Sequence, residues 1–353
     1  MHAIKKLFLQ PAHQQRQSLP DLLKGFAVLF MVQVHITELL AVESWFFSKG
    51  GSISLFLGGV PAAPVFMTVM GYFLAKGNKP TTALLKHGGK LLGWGLMLNL
   101  GMNAHLLLKY FSGTLNVNPW TYVLGVDILF LAGFSVLIIA SLRKVLNNNI
   151  LLWLLAMVFF ASANPYLPVF TGEPGWVKFL QAFINGYYHW SYFPVFPWAG
   201  YPLAGYVAFH SLNKKPFHSI THKQELILAG VLLLVLIVSF QFGFRNSVLL
   251  QVYYHHSFMF FMWAIAFVLL WVIVVKLLFS GAHGFVFDWI RWVGKNVTVF
   301  YVLQWLLIGN LATSLYKSQF PISLLGWFLG ITLVVNVLVL GWLRLKAILA
   351  KKN

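Results

Sequence analysis

Apolar stretches long enough to cross a lipid bilayer recur along almost the whole chain. Crossing ~30 Å of hydrocarbon as a helix takes about 20 predominantly apolar residues, and the chain has about ten candidate segments, including 149–163 and 194–211. They do not alternate in polarity as the strands of a membrane β-barrel do. Only 9% of the 353 residues are charged, against roughly 25% in soluble domains. The sequence therefore predicts an all-α, polytopic integral membrane protein with about ten transmembrane helices.

The basic residues are unevenly distributed between the two sides of this predicted bundle. A net charge of +18 would indicate nucleic-acid binding in a soluble protein, but in a membrane protein it sets orientation, so no nucleic-acid partner is expected. Of the 25 Lys and Arg residues, 20 fall on one side of a ten-helix layout; the other five are Lys49, Lys109, Lys178, Arg245 and Lys317. This asymmetry predicts that both termini are cytoplasmic.

The predicted organisation is one membrane domain between two short basic ends. Residues 1–17 form a basic cytoplasmic arm, 18–346 a single transmembrane domain, and 347–353 a basic cytoplasmic tail. The connections are short and show no convincing repeat. The chain has no cysteine, which excludes disulfides and cysteine-based chemistry. The oligomeric state stays open, with a homo-oligomer as one possibility.

The first predicted helix carries a polar stripe. Ser18 and Pro20 favour a helix start, and Asp21 falls in its first turn, where the helix dipole favours an acid. Lys24 and His35 are eleven residues apart, almost three turns, so they share a face about 16 Å apart along the axis. Glu38 follows His35 by three residues and reaches the same face.

Each stripe residue has a structural and a functional interpretation. Lys24 is either a snorkelling anchor paired with Asp21 or part of a cytoplasmic binding site. His35 is either a hydrogen-bonded interior histidine or a general base held by a carboxylate, for which Glu38 and Asp127 are both candidates. Intramembrane ionisable groups are costly, and spanning requires no histidine at membrane depth, so the stripe as a unit favours function.

Lysines also cluster after the second helix, where Lys86 and Lys90 lie near the inner mouth of the first helix. Positive-inside topology explains them; binding of a polyanionic cosubstrate, such as the phosphates of coenzyme A, is the functional alternative. Gly89 and Gly93 form a small-xxx-small pair that predicts close helix packing.

The longest outer connection, residues 164–193, ends in an aromatic stretch from Trp176 to Tyr192. It is either an interfacial helix of the aromatic belt or a lid over an outward-facing site. Tyr188, His189 and Trp198 are the candidate substrate-binding residues, since sugar faces stack on aromatic rings. The adjacent His255 and His256 lie on an outer loop without a spaced third ligand, so no metal is expected.

Five segments in order resemble the transmembrane acyltransferase superfamily, over roughly residues 16–310. SLPDLLKGFAVLFMVQVH (18–35) resembles its first-helix signature, an acid three residues before a base and then, after ten residues, a histidine. The segments around GYFLA (71–75), GVDILFLAG (125–133), FPVFPWAGYPLAGY (193–206) and WVGKNVTVFYVLQW (292–305) follow. They look closer to the heparan-α-glucosaminide N-acetyltransferase-like branch, which includes bacterial relatives, than to the acyltransferase family 3 branch. Lys24 replaces the commoner arginine, and Gln304 stands where many relatives have histidine.

The resemblance implies transfer of an acyl group, most often acetyl, from cytoplasmic acyl-CoA to a hydroxyl or amine of an extracytoplasmic sugar or glycan. On this interpretation His35 is the general base, Glu38 or Asp127 orients it, and Asp21, Lys24, Lys86 and Lys90 form the donor site. Asn296 and Tyr72 are candidate oxyanion partners. The bacterial cytoplasmic membrane is the expected location. The rival class is a proton-coupled transporter or flippase, which intramembrane His and Glu would also suit, although no inverted repeat of the kind typical of carriers is apparent.

Overall fold

The computed structural model describes residues 18–147, 149–169, 175–212, 221–279 and 281–350. These residues are almost entirely helical and contain no β-strand, only two isolated bridges. The all-α prediction is confirmed. The predicted basic arm, 1–17, and the last residues of the predicted tail, 351–353, lie outside the described residues.

Nineteen α-helices are distinguished in the described part of the chain, together with a 3₁₀ turn at Asn164–Tyr166. In chain order they are α1 Ser18–Leu40, α2 Glu43–Phe46, α3 Lys49–Gly58, α4 Ala63–Lys76, α5 Thr81–Met102, α6 Ala104–Phe111, α7 Pro119–Val123, α8 Ile128–Leu146, α9 Ile150–Ser162, α10 Gly175–Ile184, α11 Val195–Trp198, α12 Gly200–Leu212, α13 His222–Val238, α14 Phe240–Val248, α15 Leu250–Tyr254, α16 Phe258–Phe279, α17 Phe285–Lys295, α18 Val297–Leu315 and α19 Pro321–Ala350.

Six helical segments of the described chain are long and apolar enough to cross a membrane, or eight if two bent pairs each count as one span. The bent pairs are α5 with α6, at 58°, and α13 with α14, at 68°. The predicted count of about ten is therefore not confirmed. The difference between eight and ten lies in the predicted spans 149–163 and 194–211. The helices found there, α9 and α12, have only 13 residues each. Thirteen residues rise about 20 Å as a helix, short of ~30 Å of hydrocarbon.

The described residues form two compact units. The first comprises 18–62, 101–109, 274–279 and 281–350, and the second comprises 63–100, 110–147, 149–169, 175–212 and 221–273.

In the first unit, α1 packs most extensively on α17 and also contacts α3, α18 and α19. Two glycines allow the close approach of α1 and α17. A Cβ at Gly25 would meet the backbone carbonyl of Ile290, and a Cβ at Gly294 would meet that of Asp21. The C-terminal end of α1 is fixed by the linker before α19, where the Gln319 amide donates to the Leu40 carbonyl at 2.8 Å.

In the second unit, α4 packs most extensively on α12. The crossing is again glycine-mediated, since a Cβ at Gly71 would meet the Pro202 carbonyl and one at Gly205 would meet that of Thr68. The prediction that Gly89 and Gly93 mediate close packing is wrong, because nothing described lies within 4 Å of a Cβ built at either.

The close packing of α5 instead involves the preceding residue. A Cβ at Gly88 would meet the side chain of Leu137 on α8, and Gly133 of α8 has the reciprocal relation with Leu92. These two glycines let the α5 and α8 backbones approach each other.

Candidate functional site

The N-terminal end of α1 carries an ion pair. Lys24 Nζ lies 2.9 Å from Asp21 Oδ1, and the two side chains are only 15% and 3% exposed. Asp21 falls in the first turn of the helix, where the positive end of the helix dipole stabilises its carboxylate. The predicted pairing of these two residues is confirmed. It holds a largely buried ammonium group at a fixed position on the stripe.

The half-buried side chain of His35 lies five residues before the end of α1. Its imidazole packs on the indole of Trp305 from α18, with ring centroids 4.0 Å apart and planes inclined at 33°. None of the described residues forms a hydrogen bond with the buried His35 Nδ1. The ring therefore packs on Trp305, and no described residue engages its Nδ1.

Neighbouring polar residues on α1 are, by contrast, bonded to α3. Gln33 Nε2 donates to the Ser54 carbonyl at 2.9 Å, and Ser54 Oγ donates to Gln33 Oε1 at 2.6 Å. Thr37 Oγ1 also lies 2.7 Å from Ser54 Oγ. These groups pack α1 on α3.

Glu38 lies near a cation that the sequence did not single out. Burial lowers the pKa of Lys317, and the nearby carboxylates of Glu38 and Glu43 oppose that shift. Lys317 Nζ also lies 3.6 Å from the centroid of the Phe46 ring. Glu38 is therefore electrostatically linked to Lys317 as well as being one turn from His35.

Asp127, the other candidate carboxylate, belongs to the second unit and caps α8. Its Oδ1 accepts hydrogen bonds from the backbone N–H groups of Leu129, at 3.0 Å, and Phe130, at 3.1 Å. The side chain is buried, and the helix N-terminus stabilises its charge. This N-cap role accounts for an aspartate at this position.

The lysines after the second predicted span form an exposed basic face on α5 of the second unit. Lys86 and Lys90 are both exposed and, being four residues apart, point the same way. Nearby, the Arg143 guanidinium donates to the Lys79 carbonyl at 2.8 Å and to Asn78 Oδ1 at 2.7 Å.

The three predicted substrate-binding residues, all in the second unit, differ in exposure. Tyr188 is half-buried and stacks on Trp190 at 4.7 Å between centroids with planes inclined by 6°, and its hydroxyl donates to Gln181 Oε1 at 2.9 Å. His189 is exposed and meets Trp190 edge-on. Trp198 is fully buried, and its indole N–H donates to the Tyr254 carbonyl at 2.7 Å. It therefore packs in the core, whereas Tyr188 and His189 are at least partly exposed and form what we call the aromatic rim.

Behind this aromatic group lie His255 and His256, in the linker between α15 and α16. His256 Nδ1 lies 2.8 Å from the Tyr253 carbonyl, and its Nε2 lies 3.1 Å from the Tyr201 hydroxyl. A carbonyl only accepts, so Nδ1 carries the proton and Nε2 accepts from Tyr201. Burial lowers the pKa of both histidines to about 4. Within the described residues, no three potential ligands gather closely enough to hold a metal ion.

Trp305 and Lys317 are neighbours of the stripe to which the sequence assigned no role. An aromatic residue on an apolar helix and a lysine in a linker carry no local signal of function, and only their tertiary contacts with α1 and with Phe46 distinguish them.

The apolar helices define an integral membrane protein, and the comparison with known families gives its class. A family model described as heparan-alpha-glucosaminide N-acetyltransferase, catalytic, matches residues 16–235, more than half of the chain. The chain belongs to this family of membrane acyltransferases, as the first-helix motif predicts. Membership favours an acyltransferase over a carrier. The match covers α1 and ends before α18. No curated protein and no solved structure matches the chain.

Proposed function

We propose that this protein transfers an acetyl group from cytoplasmic acetyl-CoA to a hydroxyl or amine of an extracytoplasmic sugar, with His35 as general base. The observation that carries this proposal is the position of His35. It lies on the same helix as the Asp21–Lys24 ion pair, its ring rests on Trp305, and its Nδ1 has no described hydrogen-bond partner. A positioned base of this kind contributes about 10²–10⁴-fold to a rate.

The donor end is proposed at the inner end of α1. The phosphates of coenzyme A need cationic partners, and Lys24 supplies an ammonium group held in place by Asp21. In the second unit, the exposed pair Lys86 and Lys90 on α5 is proposed, as in the sequence-based prediction, to bind phosphate as well. This assignment requires the termini to be cytoplasmic, as the distribution of basic residues predicts; in a bacterium the membrane would be the cytoplasmic one.

The chemical step requires one proton acceptor. The acceptor's oxygen or nitrogen attacks the thioester carbonyl carbon while His35 takes its proton, and the carbonyl π electrons move to the oxygen. Collapse of this tetrahedral intermediate reforms the carbonyl, breaks the C–S bond and expels thiolate, which takes the proton from His35 and leaves as coenzyme A. The products are acetylated sugar and free thiol.

Two carboxylates, Glu38 and Asp127, are candidates for stabilising the protonated form of His35. Glu38 lies one turn from His35 on α1 and interacts electrostatically with Lys317. Asp127 already accepts two backbone hydrogen bonds, which favours Glu38 for this role. The acceptor sugar is proposed to contact Tyr188 and His189, with Trp198 supporting the aromatic rim from the core.

The test uses the absence of cysteine from the chain, because a thiol reagent then reports only released coenzyme A. Purified protein in detergent is supplied with acetyl-CoA and a panel of neutral and amino sugars, and acetylated product is identified by mass spectrometry. His35→Ala should abolish transfer, whereas His105→Ala should retain it, since His105 is a histidine of the same unit that bonds to Asn310.

Calorimetry of acetyl-CoA binding tests the donor site separately. Lys24→Ala should weaken binding, and Lys346→Ala, an exposed lysine on α19, should not. A folded wild-type sample that binds no acetyl-CoA would contradict the proposed donor, and undiminished transfer by His35→Ala would contradict the proposed base.

A further inference from the structure

Gln304 is an exception among the amide side chains of the described part of the first unit. It lies on α18, is 1% exposed, and forms no hydrogen bond through Nε2 or Oε1 with any residue that the structure describes. Leaving a buried amide unbonded is unfavourable, and most buried polar side chains in proteins have partners. Its amide is therefore a candidate to bond to a bound molecule.

The other amides of this unit show what a structural role looks like. Each is bonded to a neighbouring group: Gln33 to Ser54, Asn310 to Gly101 and His105, and Asn336 to Trp289 and Thr332. Asn296, a candidate oxyanion partner from the sequence, donates its side-chain N–H to the Trp292 carbonyl at 2.9 Å. Gln304 differs from these amides, because neither its Nε2 nor its Oε1 has a described hydrogen-bond partner.

The position of Gln304 relates it to the proposed base. The next residue on α18 is Trp305, whose ring rests on His35. Successive helix positions point about 100° apart, so Gln304 and Trp305 can border the same space. The buried Trp305 Nε1 and His35 Nδ1 likewise have no partner among the described residues. Polar atoms of three side chains, two donors among them, thus remain available on α18 and α1.

We propose that the Gln304 side-chain N–H donates a hydrogen bond to the carbonyl oxygen of the bound acetyl thioester and stabilises the oxyanion formed when the acceptor attacks. This inference rests on the proposed function. As the new C–O or C–N bond forms, the carbonyl π pair moves to the oxygen and becomes the negative charge that Gln304 faces. When the C–S bond breaks, this pair re-forms the carbonyl π bond and the negative charge leaves on the sulfur as thiolate. Gln304 gains and loses no proton, and the acceptor's proton passes through His35 to the thiolate.

A neutral amide suits this position. It offers a donor at every pH and places no permanent charge inside an apolar helix, where charge is costly. In a site with little water, a fixed donor acts strongly on developing charge. The unengaged amide of the unliganded protein is then a group already oriented for the transition state.

The decisive variant is Gln304→Met, which keeps the length of the side chain and removes its hydrogen bonding. We expect kcat for acetyl transfer to fall about 10²–10³-fold, the typical effect of removing one oxyanion donor, with KM for acetyl-CoA within a few-fold of wild type. The thermal unfolding temperature should be unchanged or higher, because an unbonded buried amide is removed. Retained kcat in a folded Gln304→Met would overturn the inference.

A spectroscopic measurement reports the hydrogen bond itself. His35→Ala is expected to bind acetyl-CoA without transferring its acetyl group. In this variant, the infrared carbonyl stretch of carbonyl-¹³C acetyl-CoA should lie at a lower frequency than that of a thioester in a solvent that donates no hydrogen bond. Adding Gln304→Met should raise that frequency. Equal frequencies in the two proteins would overturn the inference while leaving the transfer activity of the wild type, and hence the proposed function, intact. A wild type that transfers no acetyl group would instead remove the proposed function and this inference with it.

Discussion

The imidazole of His35 lies on the indole of Trp305, with ring centroids 4.0 Å apart. Since none of the described residues bonds to His35 Nδ1, this aromatic contact is the main identified restraint on the orientation of the ring. Trp305→Ala should therefore lower kcat about 10²-fold, the order expected when a reacting group is misplaced by ~1 Å. Trp305→Phe, which keeps an aromatic face, should stay within a few-fold of wild type. Steady-state kinetics with coenzyme A release as readout checks this, and equal losses in the two variants would argue against a positioning role.

The sequence predicts the relative positions of site residues that lie on one helix, but not of residues that come together from distant parts of the chain. Asp21, Lys24 and His35 lie on one helix, where the 3.6-residue period fixes their common face, and the predicted ion pair is present. Trp305 and Lys317 reach the site from parts of the chain almost 300 residues away. Such contacts follow from tertiary packing, which the helical period does not encode.

The same distinction explains the wrong prediction about glycine packing and the unconfirmed number of spans. Helix α5 is apolar around much of its circumference, so its period does not identify which glycines face a neighbour; Gly88 does, and Gly89 does not. Hydropathy likewise marks α9 as apolar without giving the point at which the helix ends. That α9 has only 13 residues is seen only in the structure.

The ion pair at the N-terminal end of α1 predicts an asymmetric response to substitution. Removing one partner of a buried pair leaves an uncompensated charge and typically costs about 3–5 kcal/mol, whereas replacing both by neutral groups costs much less. Asp21→Asn should therefore lower the thermal unfolding temperature more than the double variant Asp21→Asn with Lys24→Met. The double variant should still lose acetyl-CoA affinity. A double variant at least as unstable as Asp21→Asn would contradict the account of burial, and undiminished affinity would contradict the donor site.

The close approach of α1 and α17 predicts intolerance to a single methyl group. Gly294→Ala would place its Cβ against the Asp21 carbonyl, and relieving that clash requires the helices to separate. Overpacking of this kind typically costs about 1–3 kcal/mol. Gly330→Ala on α19 is the matched control, because nothing described lies within 4 Å of its added Cβ and alanine favours a helix. Thermal unfolding should show a lower midpoint for the first variant and an unchanged or higher one for the second.

Stability should fall in mild acid because of the buried histidine pair. The pKa of His256 is lowered from 6.5 to about 4 by burial, so between these values the unfolded chain binds a proton that the folded protein excludes. Stability is accordingly independent of this group above pH 6.5 and falls as pH drops toward 4, by on the order of 3 kcal/mol in full. His256→Asn keeps hydrogen-bonding capacity without titrating and should flatten the dependence of unfolding temperature on pH from 7 to 4.5. The exposed His189, changed to Asn, should leave that dependence as in wild type.

The predicted orientation can be measured directly, because a chain without cysteine needs no background substitutions. Lys79 and Lys49 are both exposed and lie on opposite predicted sides of the membrane. In intact cells, a membrane-impermeant maleimide should label Lys49→Cys and should label Lys79→Cys only after the membrane is opened. The opposite pattern would invert the proposed topology and place the Asp21–Lys24 pair on the side away from cytoplasmic acetyl-CoA. The orientation of the donor site, and not only of the helices, therefore depends on this result.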